Sequence, residues 1–91
     1  MKILTVCGMG FGTSLMVKMT IDDILKEVGF KADVEASDIG SVMGREFDLI
    51  VTSNDMENQI SVSEDKIIYL KNMTSKQEIK EKLITFLNNN N

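Results

Sequence analysis

Hydrophobic residues recur along this chain with two periods, one typical of strands and the other of helices. Four short apolar runs, at residues 3–6, 30–36, 47–51 and 67–70, have the length and composition of strands. The first and third runs are almost continuously apolar, as in strands buried on both faces, whereas the second alternates apolar and polar residues as a half-exposed edge strand does. The pattern therefore predicts four strands.

Segments with helical spacing separate these runs. Residues 14–28 carry an apolar face and end at Gly29, a usual helix stop, and residues 75–87 begin with a capping box formed by Ser75 and Glu78. The apolar faces consist of Val17, Ile21, Ile24, Leu25 and Val28 in the first helix and of Ile79, Leu83, Phe86 and Leu87 in the last. The remaining predictions are short helical turns at 38–44 and 56–60, a polar turn at 52–55 and a frayed tail at 88–91.

Strands that alternate with helices predict a parallel sheet with right-handed crossovers and helices on both faces. Because the second strand has the pattern of an edge strand, the predicted order is 2-1-3-4. This is an α/β three-layer sandwich with a four-stranded parallel sheet, flavodoxin-like and similar to the fold of low-molecular-weight tyrosine phosphatases. Such sheets bind ligands at the carboxyl ends of the strands where the winding reverses, here between strands 1 and 3. The loop after Val6 and the segment 52–54 are expected to meet there.

Length and composition limit the possible functions. All 91 residues are expected to form one domain, and the net charge of −4 disfavours nucleic-acid binding, which needs a basic surface. The absence of histidine removes Cys–His and Ser–His–Asp catalysis and most zinc sites, so neither a metal nor another cofactor is predicted. One cysteine, and no apolar stretch near the roughly 20 residues of a membrane span, predict a cytoplasmic protein that does not insert into a membrane.

The one cysteine, Cys7, follows the first strand directly and opens a glycine-rich turn. The predicted phosphate cradle consists of the seven residues after it: Gly8, Met9, Gly10, Phe11, Gly12, Thr13 and Ser14. The glycines permit positive φ and inward-turned amides, and Thr13 and Ser14 add hydroxyl donors, either of which also suits a helix cap. With the positive end of a helix dipole behind it, such a turn binds an anion and lowers the pKa of a thiol. Cys7 is therefore predicted to be a nucleophile that carries a phosphoryl group.

Three other functions fit parts of this loop. A cysteine-dependent phosphatase has Cys, five residues, Arg and Ser, but Thr13 holds the arginine position here. The only arginine, Arg45, precedes strand 3 and is expected at the opposite end of the sheet. A glutaredoxin-like role needs a cis-proline, which this chain lacks, and a dinucleotide fingerprint starting at Gly8 has Thr13 in place of its last glycine. The small phosphatase stays as the alternative to a phosphoryl carrier.

The roles of two further groups stay open. Met9 and Phe11 either pack on the core or form an apolar docking patch for partner proteins at the rim of the loop. Residues 52–54 are either an ordinary polar turn or a second contact with the phosphate or a partner.

The amino-terminal segment resembles that of the enzyme IIB subunits of the bacterial phosphoenolpyruvate-dependent sugar phosphotransferase system. The resemblance rests on Lys2-Ile3-Leu4-Thr5-Val6-Cys7-Gly8-Met9-Gly10-Phe11-Gly12-Thr13-Ser14-Leu15-Met16. It is strongest to the ascorbate type and next to the galactitol type, and residues 17–19, residues 52–54, the closing helix and the length also fit. The resemblance implies that Cys7 takes a phosphoryl group from a phosphohistidine of enzyme IIA and passes it to a sugar entering through the membrane subunit, enzyme IIC. Residues 8–14 would then form the cradle.

Overall fold

A four-stranded parallel sheet forms the centre of the protein. The elements along the chain are β1 (Lys2–Val6), α1 (Phe11–Val28), β2 (Asp33–Ser37), β3 (Leu49–Ser53), β4 (Ile67–Leu70) and α2 (Lys76–Asn89). The computed structural model describes residues 1–6, 11–37, 42, 44–54, 66–72 and 74–89, with residues 11–14 and 89 described by their backbone only. The strand order is β2-β1-β3-β4 and every pairing is parallel, so the predicted architecture is confirmed.

The first strand, β1, lies between two neighbours and is buried along most of its length. Leu4 pairs with Glu35 of β2 on one side and with Ile50 of β3 on the other. Residues 3–6 have no exposed surface. An almost continuously apolar strand is stable in this place because apolar side chains cover both faces of the sheet.

Two clusters of apolar side chains cover those two faces. The larger cluster joins the sheet to both helices and includes Ile3, Val17, Ile21, Ile24, Leu25, Leu49, Val51, Leu70, Ile79, Leu83 and Leu87. The smaller cluster contains Leu4, Val6, Val42, Ile50 and Ile67, with Phe47 and Tyr69 packed against it. Because successive side chains of a strand point to opposite faces, Ile3 and Leu4 assign the two clusters to opposite sides of the sheet.

The two helices also contact each other through charged side chains. The carboxylate of Glu27, near the end of α1, lies 3.1 Å from the ammonium group of Lys76 and 3.3 Å from that of Lys80 in α2. Hydrogen bonds from Lys76 and then Lys80 hold the pKa of Glu27 below its ordinary value. All three side chains are about half exposed, so the pairs orient the helices more than they stabilise the fold.

The predicted start of the first helix is wrong by three residues. The helix α1 begins at Phe11 rather than at residue 14, so Phe11, Gly12 and Thr13 form its first turn and do not continue the loop. Gly12 therefore has helical backbone angles where the sequence suggested positive φ, and neither Thr13 nor Ser14 is the residue that caps the helix. Glycine is a poor helix former by only about 1 kcal/mol, an amount that packing of the following turns offsets.

Other boundaries differ by a few residues. The strand β2 begins at Asp33 rather than at residue 30, and β3 runs two residues later than predicted, because Phe47 and Asp48 precede it. Asn88 and Asn89 continue α2, so the frayed tail predicted at 88–91 is wrong for its first half. Of the turn predicted at 38–44, Val42 is helical and Gly44 lies in a turn. The rest of it, the turn predicted at 56–60 and residues 90–91 lie outside the described residues.

Neither of the two described helices is long and apolar enough to span a membrane.

Candidate functional site

Described residues precede and follow the segment 7–10, which contains Cys7 and the first part of the predicted cradle. Val6 ends β1, and Phe11 begins α1. Cys7, Gly8, Met9 and Gly10 lie outside the described residues, and so do the side chains of residues 11–14. Val6 itself lies at the carboxyl edge of the sheet, where it contacts Thr52 near the end of β3.

The first turn of α1 supplies hydrogen-bond donors to this edge. The amides of Phe11, Gly12 and Thr13 are the first three of an 18-residue helix, and such amides have no carbonyl partner within the helix. No acidic residue lies in this turn. The positive end of the helix dipole is therefore not compensated by a carboxylate of its own helix, which favours an external anion there.

Thr52, near the end of β3, forms a buried contact with β1 beside the predicted cradle. Its side chain has no exposed surface, and its hydroxyl donates a 2.9 Å hydrogen bond to the carbonyl oxygen of Val6. The sequence predicted a polar turn at 52–55, which is wrong for Thr52 and Ser53 because both belong to β3. A threonine at the end of an apolar run signals a strand end, but its partner 46 residues away leaves no signal in the sequence.

The second helix begins at the same edge of the sheet, after β4, and its first turn contains its own anion. The amide of Glu78 donates to the hydroxyl of Ser75 at 3.3 Å, which is one half of the predicted capping box. The Glu78 carboxylate accepts from the amides of Lys71 at 2.8 Å and Asn72 at 2.9 Å rather than from Ser75. These bonds, with Lys82 at 3.1 Å, lower the pKa of Glu78 from 4.5 to about 2.

The only arginine of the chain lies toward the opposite edge of the sheet, as predicted. Arg45 forms an ion pair with Glu35 of β2, and Lys2 at the start of β1 contacts the same carboxylate. Lys2 and then Arg45 hold the pKa of Glu35 below its ordinary value. The two ends of a five-residue strand are about 13 Å apart. Arg45 is therefore bound to a carboxylate that also contacts Lys2, at the end of β1 opposite to the one that leads to Cys7.

The described part of the carboxyl edge between β1 and β3 offers neutral hydrogen-bond donors rather than charges. Within the described residues, no three or more His, Cys, Asp or Glu side chains are arranged to hold a metal ion. Helix amides and a fixed strand end suit the binding of an anion, and a thiol beside them suits nucleophilic chemistry. The fold defines a class of protein, the small flavodoxin-like α/β domains built on a four-stranded parallel sheet.

Comparison with known families identifies the group within that class. Residues 2–85 match the family described as the lactose/cellobiose-specific IIB subunit of the PTS system. The match covers most of the chain, so this protein belongs to the PTS IIB family and is a phosphotransferase of a sugar transport system. The family resemblance expected from residues 2–16 is thereby confirmed.

Several curated relatives are named for one substrate. The chain is 34% identical over 86 residues to the ascorbate-specific PTS system EIIB component of Mycoplasma pneumoniae, covering 91% of this chain and 90% of that protein. It is 30% identical over 86 residues to the protein of the same name in Shigella dysenteriae, covering 91% of this chain and 85% of that one. The relatives' names specify ascorbate, whereas the matched family is described by lactose and cellobiose.

Two solved structures share the fold. The lactose-specific IIB domain from Streptococcus pneumoniae has a TM-score of 0.68 at 19% identity, covering 97% of this chain and 95% of that one. A low molecular weight protein tyrosine phosphatase from Bacillus subtilis has a TM-score of 0.65 at 14% identity, covering 98% of each chain. At such identities these similarities establish the architecture alone.

Proposed function

We propose that this protein is the phosphoryl carrier of its transport system and that Cys7 is the carrying residue. Cys7 accepts the phosphoryl group from a phosphohistidine of enzyme IIA and transfers it to a sugar that enters through the membrane subunit, enzyme IIC. The observation that supports this most directly is the uncompensated first turn of α1, which begins four residues after Cys7 at the carboxyl edge of the sheet. Membership of the PTS IIB family supports the direction of transfer.

Two displacements at phosphorus make up the proposed reaction. In the first, the Cys7 thiolate attacks phosphorus, the S–P bond forms, and the N–P bond breaks with its electron pair remaining on the histidine nitrogen. In the second, a hydroxyl oxygen of the sugar attacks, the S–P bond breaks, the thiolate leaves, and the hydroxyl proton passes to a base of the acceptor site. The amides of residues 8–14 and the dipole of α1 stabilise the phosphoryl oxygens in both steps, so catalysis consists of positioning and dipole stabilisation.

The absence of an arginine from the cradle distinguishes a carrier from a phosphatase. Rapid hydrolysis at a cysteine needs a fixed cation on the phosphoryl oxygens and a proton donor. Thr13 holds the arginine position, and Arg45 is bound to Glu35. A cysteine-dependent phosphatase remains the second candidate because of the shared fold with the Bacillus subtilis enzyme. It predicts rapid Cys7-dependent turnover of p-nitrophenyl phosphate, whereas a carrier predicts none above background.

The deciding experiment measures phosphoryl transfer directly. The protein is incubated with phosphoenolpyruvate, the general phosphotransferase proteins and its cognate enzyme IIA, and intact mass is recorded. We expect one phosphoryl adduct, absent in Cys7→Ser and absent when enzyme IIA is omitted. The absence of an adduct on the wild-type protein with several active donors would overturn the proposal.

Ascorbate is the proposed sugar, because the curated relatives bear that name. The working compartment is proposed to be the cytoplasm, where phosphoenolpyruvate-dependent donors and a reduced cysteine coexist. The substrate test adds the phosphorylated protein to membranes containing the cognate enzyme IIC. Ascorbate should discharge the adduct, and lactose and cellobiose should not. Discharge by a disaccharide instead would reassign the substrate and leave the carrier function intact.

A further inference from the structure

We infer that Thr52 is a positioning residue for Cys7, which it orients through the carbonyl group of Val6. This inference rests on the proposed function, because it concerns the thiol that carries the phosphoryl group. The contact is a buried 2.9 Å hydrogen bond from the Thr52 hydroxyl to the Val6 oxygen.

The contact lies where backbone pairing between the two central strands ends. The paired residues of β1 and β3 run from Ile3 with Leu49 to Thr5 with Val51. The next residues in register are Val6 and Thr52, and here the side chain of Thr52 binds the carbonyl oxygen of Val6. On its other side, Val6 still pairs with Ser37 of β2. The last residue of β1 is thus held from both neighbouring strands.

Fixing this carbonyl also fixes the start of the cradle. A peptide group is planar, so the oxygen of Val6 and the amide nitrogen of Cys7 belong to one rigid unit. A hydrogen bond that orients the oxygen therefore restricts the plane from which the Cys7 side chain departs. Transfer between two proteins depends on such alignment, since small displacements of a reacting atom reduce rates strongly.

The same hydrogen bond partly offsets the partial negative charge of the Val6 carbonyl oxygen, which is unfavourable beside an anion site. A carbonyl oxygen carries partial negative charge, and one left free at this edge would repel both a thiolate and a phosphoryl group. The hydroxyl of Thr52 binds that oxygen on the β3 side. Because the hydroxyl proton is used in this bond and the side chain has no exposed surface, Thr52 acts through Val6 rather than by contact with the phosphoryl group.

Two comparisons isolate the effect of the Thr52 hydroxyl. Thr52→Val is compared with the wild-type protein, because it removes the hydroxyl at nearly constant volume. Thr52→Ser is compared with Thr52→Ala, because these two variants differ by the hydroxyl alone. Ile50→Val is the matched control, because Ile50 lies on the same strand and in the same cluster as Val6 but has no part in this contact. The measurements are the single-turnover rate of phosphorylation by phosphorylated enzyme IIA and the pH midpoint of Cys7 alkylation by iodoacetamide.

We expect Thr52→Val and Thr52→Ala to slow phosphorylation on the order of tenfold and to move the alkylation midpoint to higher pH. Thr52→Ser and Ile50→Val should stay near the wild-type rate and midpoint. If Thr52→Val does not fold, the serine and alanine pair decides the question. A wild-type rate and midpoint in Thr52→Val, or equal losses in Thr52→Ser and Thr52→Ala, would overturn the inference. A wild-type protein that takes no phosphoryl group overturns the proposed function instead, and the alkylation midpoints still test Thr52.

Discussion

The two described helices begin at the same edge of one sheet, yet their first turns differ in charge. In α2 the cap is Ser75, and the third helical residue is Glu78, whose carboxylate accepts two amide hydrogens. In α1 the third helical residue is Thr13, and no acid occupies the first turn. The chain thus supplies a carboxylate to the first turn of α2, whereas the first turn of α1 contains no acidic residue.

The strongest test of this comparison gives the first turn of α1 the acidic residue that α2 has. Thr13→Glu puts a carboxylate at the position that corresponds to Glu78. It should slow phosphorylation of Cys7 by at least about a hundredfold, because a fixed negative charge repels both the thiolate and the incoming phosphoryl group. The same variant should raise the thermal midpoint by about 1 to 3 °C, since an acid is favourable at a helix start.

Thr13→Gln is the control for the size of the new side chain. It should lose far less activity than Thr13→Glu, as measured by the rate of adduct formation in intact-mass spectra. Equal rates for Thr13→Glu and the wild-type protein would contradict the assignment of this turn to the phosphoryl group.

The second test places a cation in the first turn of α1, where the first test placed an anion. Thr13→Arg restores the arginine position of cysteine-dependent phosphatases. It should shorten the lifetime of the phosphorylated protein on the order of tenfold, because a fixed guanidinium stabilises the charge that develops during hydrolysis. Thr13→Lys should shorten it less, since an ammonium group lacks the planar fork of arginine. The measurement is the decay of the adduct after the donor is removed, and an unchanged lifetime in Thr13→Arg would argue against the phosphatase-like arrangement of the loop.

The third test removes the negative charge from the first turn of α2. Glu78→Gln should lower the free energy of unfolding by about 1 to 2 kcal/mol at pH 7, because two amide hydrogen bonds lose their charged acceptor. The pKa of Glu78 is depressed from 4.5 to about 2, so its contribution is complete above pH 4.5 and disappears as the pH falls toward 2. Denaturant titrations at several pH values should show the two proteins converging at low pH. Phosphorylation of Cys7 should be unchanged, and a large loss would mean that the two helix starts are coupled.

The smallest effect is expected at the amino-terminal edge, where the charges are exposed. Glu35→Gln removes the shared partner of Lys2 and Arg45. The thermal midpoint should fall by about 1 to 2 °C at low ionic strength, and the difference should vanish in concentrated salt, because exposed pairs are weak and screened. A rise in hydrolysis of the phosphorylated protein would show that the released Arg45 reaches the cradle and would weaken the comparison.

Much of the architecture follows from local patterns in the sequence. The run at 67–70 matches β4 residue for residue, and the alternating run after Gly29 correctly predicts β2 as the edge strand. Gly29 itself has φ of 74°, as a glycine that ends a helix commonly does. These features depend on neighbours close in the chain, which a sequence displays directly.

The remaining features depend on tertiary contacts. The start of α1 was misplaced because glycine and threonine at positions 12 and 13 are weak helix formers, and their local preference was overridden by packing of the helix on the sheet. The hydrogen bond of Thr52 to Val6 has no local signal, because the two residues are remote in the sequence. The assignments of Cys7 as the nucleophile and of residues 8–14 as the cradle stay predictions.

The burial of β1 has a consequence for the exchange of amide hydrogens. A strand paired on both sides, with no exposed surface from Ile3 to Val6, belongs to the part of the molecule that opens only with global unfolding. Cys7 is joined directly to this most protected segment. Under the proposed function, the last residue of β1 therefore stays in place while the partner proteins approach and depart.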